Sequence, residues 1–127
     1  AEESQIFYGE FKPDAGYEMT RCALSLNPRP TALITGNNFI AVGAMKAIQD
    51  AGLEVPEDVA LVTFDDLPPA MISFPFFTVA AQPAYEMGHR ATHLLLDRLS
   101  GQSDGCRKEI ILPIQIIVRH SSGDPIA

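Results

Sequence analysis

Apolar residues along the chain form short runs that alternate with longer stretches of helical spacing. The clearest run covers residues 59–64, contains no polar-apolar alternation, and is followed by Asp65 and Asp66. Such a run is typical of a strand covered on both faces in a parallel α/β sheet. These sheets bind ligands beyond the carboxyl ends of their strands, so the pattern predicts that Asp65 contacts a ligand.

The same patterns predict the remaining elements. Strands are expected at residues 5–8, 31–35, 59–64, 77–80 and 109–118. A first helix opens at Pro13 and stops at Asn27-Pro28, a second covers residues 39–51 and ends at Gly52, and a third follows Pro83 to about Leu99. The core face of the second helix comprises Ile40, Gly43, Ala44, Ala47, Ile48 and Ala51, and that of the third comprises Met87, Ala91, Leu94, Leu95 and Leu99. This order predicts an α/β fold with a mainly parallel, doubly wound sheet.

Composition excludes several classes of function. With 127 residues, 46% of them hydrophobic, the chain can form one ordinary core. A net charge of −7 and the lack of any Lys or Arg run argue against nucleic-acid binding by this chain itself. No apolar run approaches the roughly 18 to 20 residues of a membrane helix, and residues 1–4 lack the basic start of a signal peptide. Cys22 and Cys106 have no CxxC partner, which suits a reducing compartment.

A set of residues in one order along nearly the whole chain resembles the effector-binding domain of lactose-repressor (LacI/GalR) transcriptional regulators. The matching residues are Arg29-Pro30-Thr31-Ala32, Asn37, Ala41-Val42-Gly43-Ala44, Gly52-Leu53-Glu54-Val55-Pro56-Glu57-Asp58-Val59, Phe64-Asp65-Asp66, Pro75, Thr78, Gln82-Pro83, Glu86, Gly88, Leu94-Leu95, Leu112-Pro113, Arg119 and Ser121. The chain departs from that pattern at Asn38, where the family usually has Asp, and at Thr63, where it usually has Gly.

The resemblance implies a type I periplasmic-binding-protein-like core, which has two α/β lobes around a cleft and follows a DNA-binding helix-turn-helix. Residues 1–82 and 109–122 would belong to the C-terminal lobe, and residues 83–108 would return to the N-terminal lobe. The chain itself would contain no DNA-binding domain, so DNA would be contacted only through a missing N-terminal domain. The family also has a strand between the two that are expected here at residues 5–8 and 31–35, and this chain would lack it. A sheet without that strand would have open edges, which recruit other chains.

Four residues fall where the family contacts its effector, a small sugar-like or nucleobase-like molecule bound without a cofactor. Phe11 would stack on the ring, Asn37 and Gln82 would supply amide contacts, and Asp65 would accept hydrogen bonds from hydroxyls or a ring N–H. Each has an alternative structural role: Phe11 in core packing, Asn37 as a helix cap, and Asp65 and Gln82 as turn residues.

A second predicted surface is an interface between two copies of the chain. Val42 points away from the core face of its helix and lies beside Phe39 and Met45, an apolar centre surrounded by polar residues. In the resembling family this helix and the loop that holds Met71, Ile72 and Ser73 form a two-fold dimer contact. A homodimer is therefore expected.

Other chemical interpretations are weaker, and the sequence does not indicate an enzyme. Asp65-Asp66 could bind Mg²⁺ or act as a nucleophile, but no phosphate-binding Gly loop or placed Lys accompanies them. His89 and His93 have a zinc-compatible spacing without a third ligand, so two solvated histidines and no metal site are expected. Thr78, Ser121 and Ser122 have no recognisable His and Asp partners.

A periplasmic sugar-binding protein of a transporter is the main alternative, because it would share the fold and the cleft. The segments Gln82-Pro83 and Arg119-His120-Ser121 resemble the repressors instead. The preferred interpretation is the effector-sensing part of a cytoplasmic regulator.

Overall fold

One four-stranded sheet is present in the structure, a computed structural model that describes residues 2–68, 76–102 and 105–123. Its described strands are β1 (Ala32–Thr35), β2 (Ala60–Phe64), β3 (Thr78–Ala81) and β4 (Gln115–Ile117), in the order β1-β2-β3-β4. Three helices, α1 (Pro13–Leu24), α2 (Asn38–Asp50) and α3 (Ala84–Leu99), alternate with them. The pairs β1–β2 and β2–β3 are parallel, so the predicted α/β class with a mainly parallel sheet is confirmed.

The chain divides into two compact units. The first comprises Ala1–Ala81 and Ile116–Ala127, and the second comprises Gln82–Gln115. The first unit contains strands β1 to β3 with helices α1 and α2, whereas the second contains α3. The predicted assignment of the chain to two lobes of a larger protein stays a prediction.

Helix α2 contributes more buried residues to the core of the first unit than any other described element. Asn37 caps its first turn, and Gly52, with φ 71°, follows its last residues in the left-handed conformation that commonly ends helices. Its buried residues are Ile40, Ala41, Gly43, Ala44, Ala47 and Ile48, which includes all of the predicted face except Ala51. Ala41, Ala44 and Ile48 share one buried cluster with Leu61 of β2 and Val79 of β3. The spacing of small and apolar residues therefore predicted which residues of α2 are buried.

Two glycines allow α1 to lie directly against α2. A Cβ on Gly43 would lie 1.9 Å from the carbonyl oxygen of Pro13, and one on Gly16 would lie 2.4 Å from that of Ile40. Both distances are far below van der Waals contact, so neither position can hold a larger residue unless the helices separate. The two backbones touch only because side chains are absent at these points.

The opposite face of the sheet is less covered than predicted. In β2, Leu61 and Thr63 are almost fully buried, but Phe64 is 40% exposed. Ile34 of β1 is 77% exposed. Helix α2 packs on one face of the described sheet, and the side chains that point to the other face remain accessible. The expectation that β2 is covered on both faces is therefore wrong for the described part of the chain.

Three further expectations are corrected. Residues 5–8 form no strand, because no described strand pairs with them; Glu3–Gln5 is a short 3₁₀ helix instead. The last strand is limited to Gln115–Ile117, in keeping with Pro113, which has no N–H to donate to a ladder. The predicted core face of α3 is not buried: Leu95 is 57% and Leu99 is 75% exposed.

Candidate functional site

The predicted site lies at the edge of the sheet where parallel strands end. Thr35, the last residue of β1, pairs with Thr63 of β2, and Phe64, the last residue of β2, pairs with Ala80. The residues that follow these strands consequently emerge on the same edge. Asn37 and Asp65 are among them, as the sequence predicted.

Asp65 follows β2 in an unusual backbone conformation. Its φ is 61°, which lies in the left-handed region that most residues other than glycine avoid. Its N–H donates to the carbonyl oxygen of Ala80 at 3.2 Å, which continues the β2–β3 ladder by one residue. The half-buried side chain therefore begins at a fixed backbone position at the end of the strand.

Asn37 is the N-cap of α2. Its Oδ1 accepts a hydrogen bond from the N–H of Ile40 at 2.9 Å, so the capping role is real. The amide Nδ2 has no hydrogen-bond partner within the described part of the chain. Capping uses the oxygen only, so the same side chain can cap the helix and donate to a ligand.

The ring of Phe11 lies beside the turn between β1 and α2. A Cβ placed on Gly36 would lie 3.6 Å from Cε1 of Phe11, which puts the ring next to the residue that precedes Asn37. Phe11 is 67% exposed, so core packing is not its main role. An exposed ring face beside the turn that leads to Asn37 is a suitable surface for a cyclic ligand.

Gln82 belongs to the other compact unit. It is the first residue of the second unit, where it lines a mostly apolar cavity of about 320 Å³ with Met87, Leu94 and Leu112. The first unit contains the other three predicted residues: Phe11 lies beside Gly36, and Asn37 and Asp65 follow neighbouring strands. The ligand roles of all four residues stay predictions.

Asp66 differs from its neighbour, because its carboxylate is bound inside the protein. Arg119 donates from Nη1 to Oδ1 at 2.9 Å and from Nη2 to Oδ2 at 2.6 Å. The hydrogen bonds from Arg119 hold the pKa of Asp66 below its usual range, although partial burial opposes this shift. Asp66 in turn raises the pKa of Arg119. Both oxygens of the Asp66 carboxylate are therefore engaged within the protein.

The asparagine that replaces the family's usual aspartate has a role of its own. Asn38 Nδ2 donates to the backbone oxygen of Asp66 at 2.7 Å, which ties the start of α2 to the turn after β2. A carboxylate could not make this bond, because it has no hydrogen to donate at neutral pH.

The hydroxyl groups near the end of the chain serve structure. Ser121, fully buried, donates from Oγ to the carbonyl oxygen of Leu61 and accepts from the N–H of Thr78 at 2.8 Å. Thr78 Oγ1 donates to the carbonyl oxygen of Arg119 at 2.9 Å. Both hydroxyls connect strands to the final segment of the first unit.

The two histidines of α3 are exposed, and their ring centroids lie 4.5 Å apart. Among the residues that the structure describes, no group of three His, Cys, Asp or Glu side chains could hold a metal ion. The exposure agrees with the predicted pair of solvated histidines.

The predicted interface helix presents an apolar residue to solvent. Val42 is 40% exposed and lines a shallow groove of about 270 Å³ between α1 and α2, together with Tyr17 and Lys46. Lys46 Nζ lies 5.7 Å above the Tyr17 ring, a cation-π contact. Met45 is half-buried and packs partly on the core. Met71, Ile72 and Ser73 lie outside the described residues.

Two features bear on the wider setting of the chain. Within residues 2–68, 76–102 and 105–123, none of the helices has both the length and the hydropathy that a membrane crossing requires. Cys22 and Cys106 are both exposed.

Comparison with known proteins agrees with this geometry. Residues 3–122 match the family model for the periplasmic binding protein-like domain. The lactose operon repressor of Rhizobium radiobacter is 36% identical over 114 residues, which are 90% of this chain and 99% of that sequence. The HTH-type transcriptional repressor PurR of Escherichia coli O1:K1 / APEC is 35% identical over 96% of this chain, but the match covers 36% of the repressor.

A solved structure extends the likeness to the fold. The complex of the transcriptional regulator CelR with cellobiose superposes with a TM-score of 0.86 at 30% sequence identity, over 95% of this chain and 37% of the regulator. The present chain thus spans little more than a third of PurR and of CelR. It belongs to the periplasmic binding protein-like domain family, in the form that lactose-repressor-type transcriptional regulators carry.

Proposed function

We propose that the chain is the effector-sensing part of a transcriptional regulator and that its effector is a small sugar-like or nucleobase-like ring. The observation that carries this proposal is the edge of the sheet where Asn37 and Asp65 follow neighbouring parallel strands. The names of its relatives support the regulatory class, because they are repressors and a regulator in complex with cellobiose.

Each side chain has a distinct task in the proposed site. The exposed ring of Phe11 stacks on the flat or C–H-bearing face of the effector. Asp65 accepts hydrogen bonds from adjacent ligand hydroxyls or a ring N–H, and Asn37 Nδ2 donates to a ligand oxygen. A polar ring with donors on one side and acceptors on the other fits this set.

The whole protein would convert effector binding into a change in DNA affinity. A net charge of −7 makes this chain unsuited to the phosphate backbone, so DNA would be bound by another part of the protein, a helix-turn-helix. Such a regulator acts in the cytoplasm and turns over no substrate. A periplasmic sugar carrier would share the fold, but the repressor relatives do not favour it.

The functional form would be a homodimer. Val42 lies in the groove between α1 and α2, surrounded by Tyr17, Glu18 and Lys46. An exposed apolar centre with charged residues around it is typical of a partner surface. In such a dimer, α2 of one copy would pack against α2 of the other copy across a two-fold axis.

Calorimetric titration of the intact protein with cellobiose, lactose and adenine tests the site. Asp65→Ala should weaken binding of the accepted probe by about 2 to 4 kcal/mol, because buried ligand donors lose their acceptor. Glu57→Gln, which removes an exposed carboxylate outside the site, should leave the affinity unchanged. Equal affinity of Asp65→Ala and the unsubstituted protein would contradict the assignment.

The same probe separates the regulator from the transport protein. In a gel-shift experiment with DNA from the protein's own promoter, the probe should change the affinity of the intact regulator for DNA. A protein that binds the sugar but never binds DNA would favour the transport alternative.

A further inference from the structure

The turn after β2 holds two adjacent acidic residues in different surroundings. Asp65 has φ 61°, a conformation that an L residue adopts rarely and keeps only where its neighbours fix it. Its N–H donates to the carbonyl oxygen of Ala80 at 3.2 Å. The next residue in the turn makes several further bonds that hold this part of the chain.

Asp66, the next residue, is held by several hydrogen bonds. Both carboxylate oxygens of Asp66 accept from Arg119, and Oδ1 also accepts from the N–H of Leu67 at 3.0 Å. Its backbone oxygen accepts from Asn38 at 2.7 Å. Planar paired bonds between a guanidinium and a carboxylate restrict orientation as well as distance. The backbone leaving Asp65 therefore has a set direction.

Arg119 is itself held in place. Its Nη1 also donates to the carbonyl oxygen of Phe77 at 3.0 Å, and its N–H donates to Thr78 Oγ1 at 2.8 Å. The Arg119 side chain is only 17% exposed. The guanidinium thus bridges the start of β3 and the turn after β2. Arg119 and Asp66 are 53 positions apart in the sequence.

We propose that Arg119 is a positioning residue of the effector site: through Asp66 it holds the turn in the conformation that presents the Asp65 carboxylate to the ligand. Arg119 would not touch the effector. This inference rests on the proposed function, because it assigns a task to the residue on which that function depends.

Hydrogen exchange without ligand tests the structural half of the proposal. The Arg119→Lys substitution keeps the positive charge but removes the guanidinium that makes the paired hydrogen bonds to Asp66. In intact protein with this substitution, the N–H groups of Asp65 and Leu67 should exchange at least about 10-fold faster. Amides of Val59 and Leu61 in the core should be unaffected. Arg90→Lys makes the same change in the exposed ion pair with Glu86 and should alter the exchange rates of neither the turn amides nor the core amides. Unchanged exchange at Asp65 and Leu67, or equal acceleration throughout the first unit, would overturn the proposal.

A double-mutant cycle with cellobiose as the probe tests the functional half. Arg119→Lys should weaken cellobiose binding about 10-fold when Asp65 is present and should have no further effect in the Asp65→Asn protein, because the arginine acts only through Asp65. Equal losses in both backgrounds would overturn the positioning role. If Asp65→Asn left the affinity unchanged while the exchange result held, the proposed function would fail and the role of Arg119 in fixing the turn would stand.

Discussion

At the scale of single residues, Asn37 has a structural role in the fold and a proposed role in the site. Its Oδ1 caps α2 through Ile40, and its Nδ2 is the proposed donor to a ligand. The two roles use different atoms, so a substitution can remove one and keep the other.

Asn37→Asp should keep the cap and lose the ligand contact. A carboxylate caps a helix as well as an amide does, so the free energy of unfolding should change by less than about 0.5 kcal/mol, whereas Asn37→Ala should cost about 1 kcal/mol. Effector affinity should fall in both variants, because neither offers a donor. Urea unfolding and calorimetry on the same samples provide the two measurements. Native affinity in Asn37→Asp would show that Nδ2 does not contact the effector.

The positions of Asp65 and Asn37 at the ends of strands could be predicted from the sequence, because each comes after a predicted strand. Their contact with a ligand stays a prediction, based on the usual place of ligands at such strand ends. The pairing of Asp66 with Arg119 could not be predicted from pattern alone. Those residues lie 53 positions apart, and no local periodicity indicates which distant segment will meet the turn.

At the scale of elements, α1 and α2 are joined by contact between their backbones. The stripe of small and apolar residues on α2 predicted its buried face, because a helix on a sheet must bury one side. The close approach at Gly16 and Gly43 depends on how two helices cross, which the spacing within one helix does not specify. The apolar stripe on α3 is the converse case, since its spacing is helical but none of its residues is buried in the described structure.

Gly43→Ala should be strongly destabilising. The added methyl group would meet the Pro13 carbonyl oxygen at 1.9 Å, so α1 must move away from α2. A cost of about 2 to 4 kcal/mol in the free energy of unfolding is expected, since overpacking against backbone cannot be relieved by a side-chain rotation. Gln49→Ala, at an exposed position of the same helix, should change stability by less than about 0.5 kcal/mol. Similar urea midpoints for the two variants would contradict the tight crossing.

At the scale of the whole molecule, the regular alternation of strands and helices was enough to predict a parallel sheet. The division into two units was not indicated by any linker-like composition. The sequence also predicted an interface at Val42. The Val42 side chain lines a groove flanked by charged side chains, and the interface itself stays a prediction.

Val42→Glu should shift the intact protein from dimer to monomer in sedimentation velocity. A carboxylate at the centre of the interface would lose its hydration and face its own copy across a two-fold axis, which repels both chains. Thr31→Glu adds the same charge at an exposed position outside the groove and should leave the dimer intact. If both variants sedimented as the unsubstituted protein does, the interface would have to lie elsewhere.

The two exposed thiols have a practical consequence for measuring motion. Cys22 lies in the first unit and Cys106 in the second. A fluorescent dye or a nitroxide spin label attached to each would therefore mark different units at positions native to this chain. Energy transfer or pulsed electron resonance between the two labels, recorded while effector is added, would report whether effector binding moves one unit against the other.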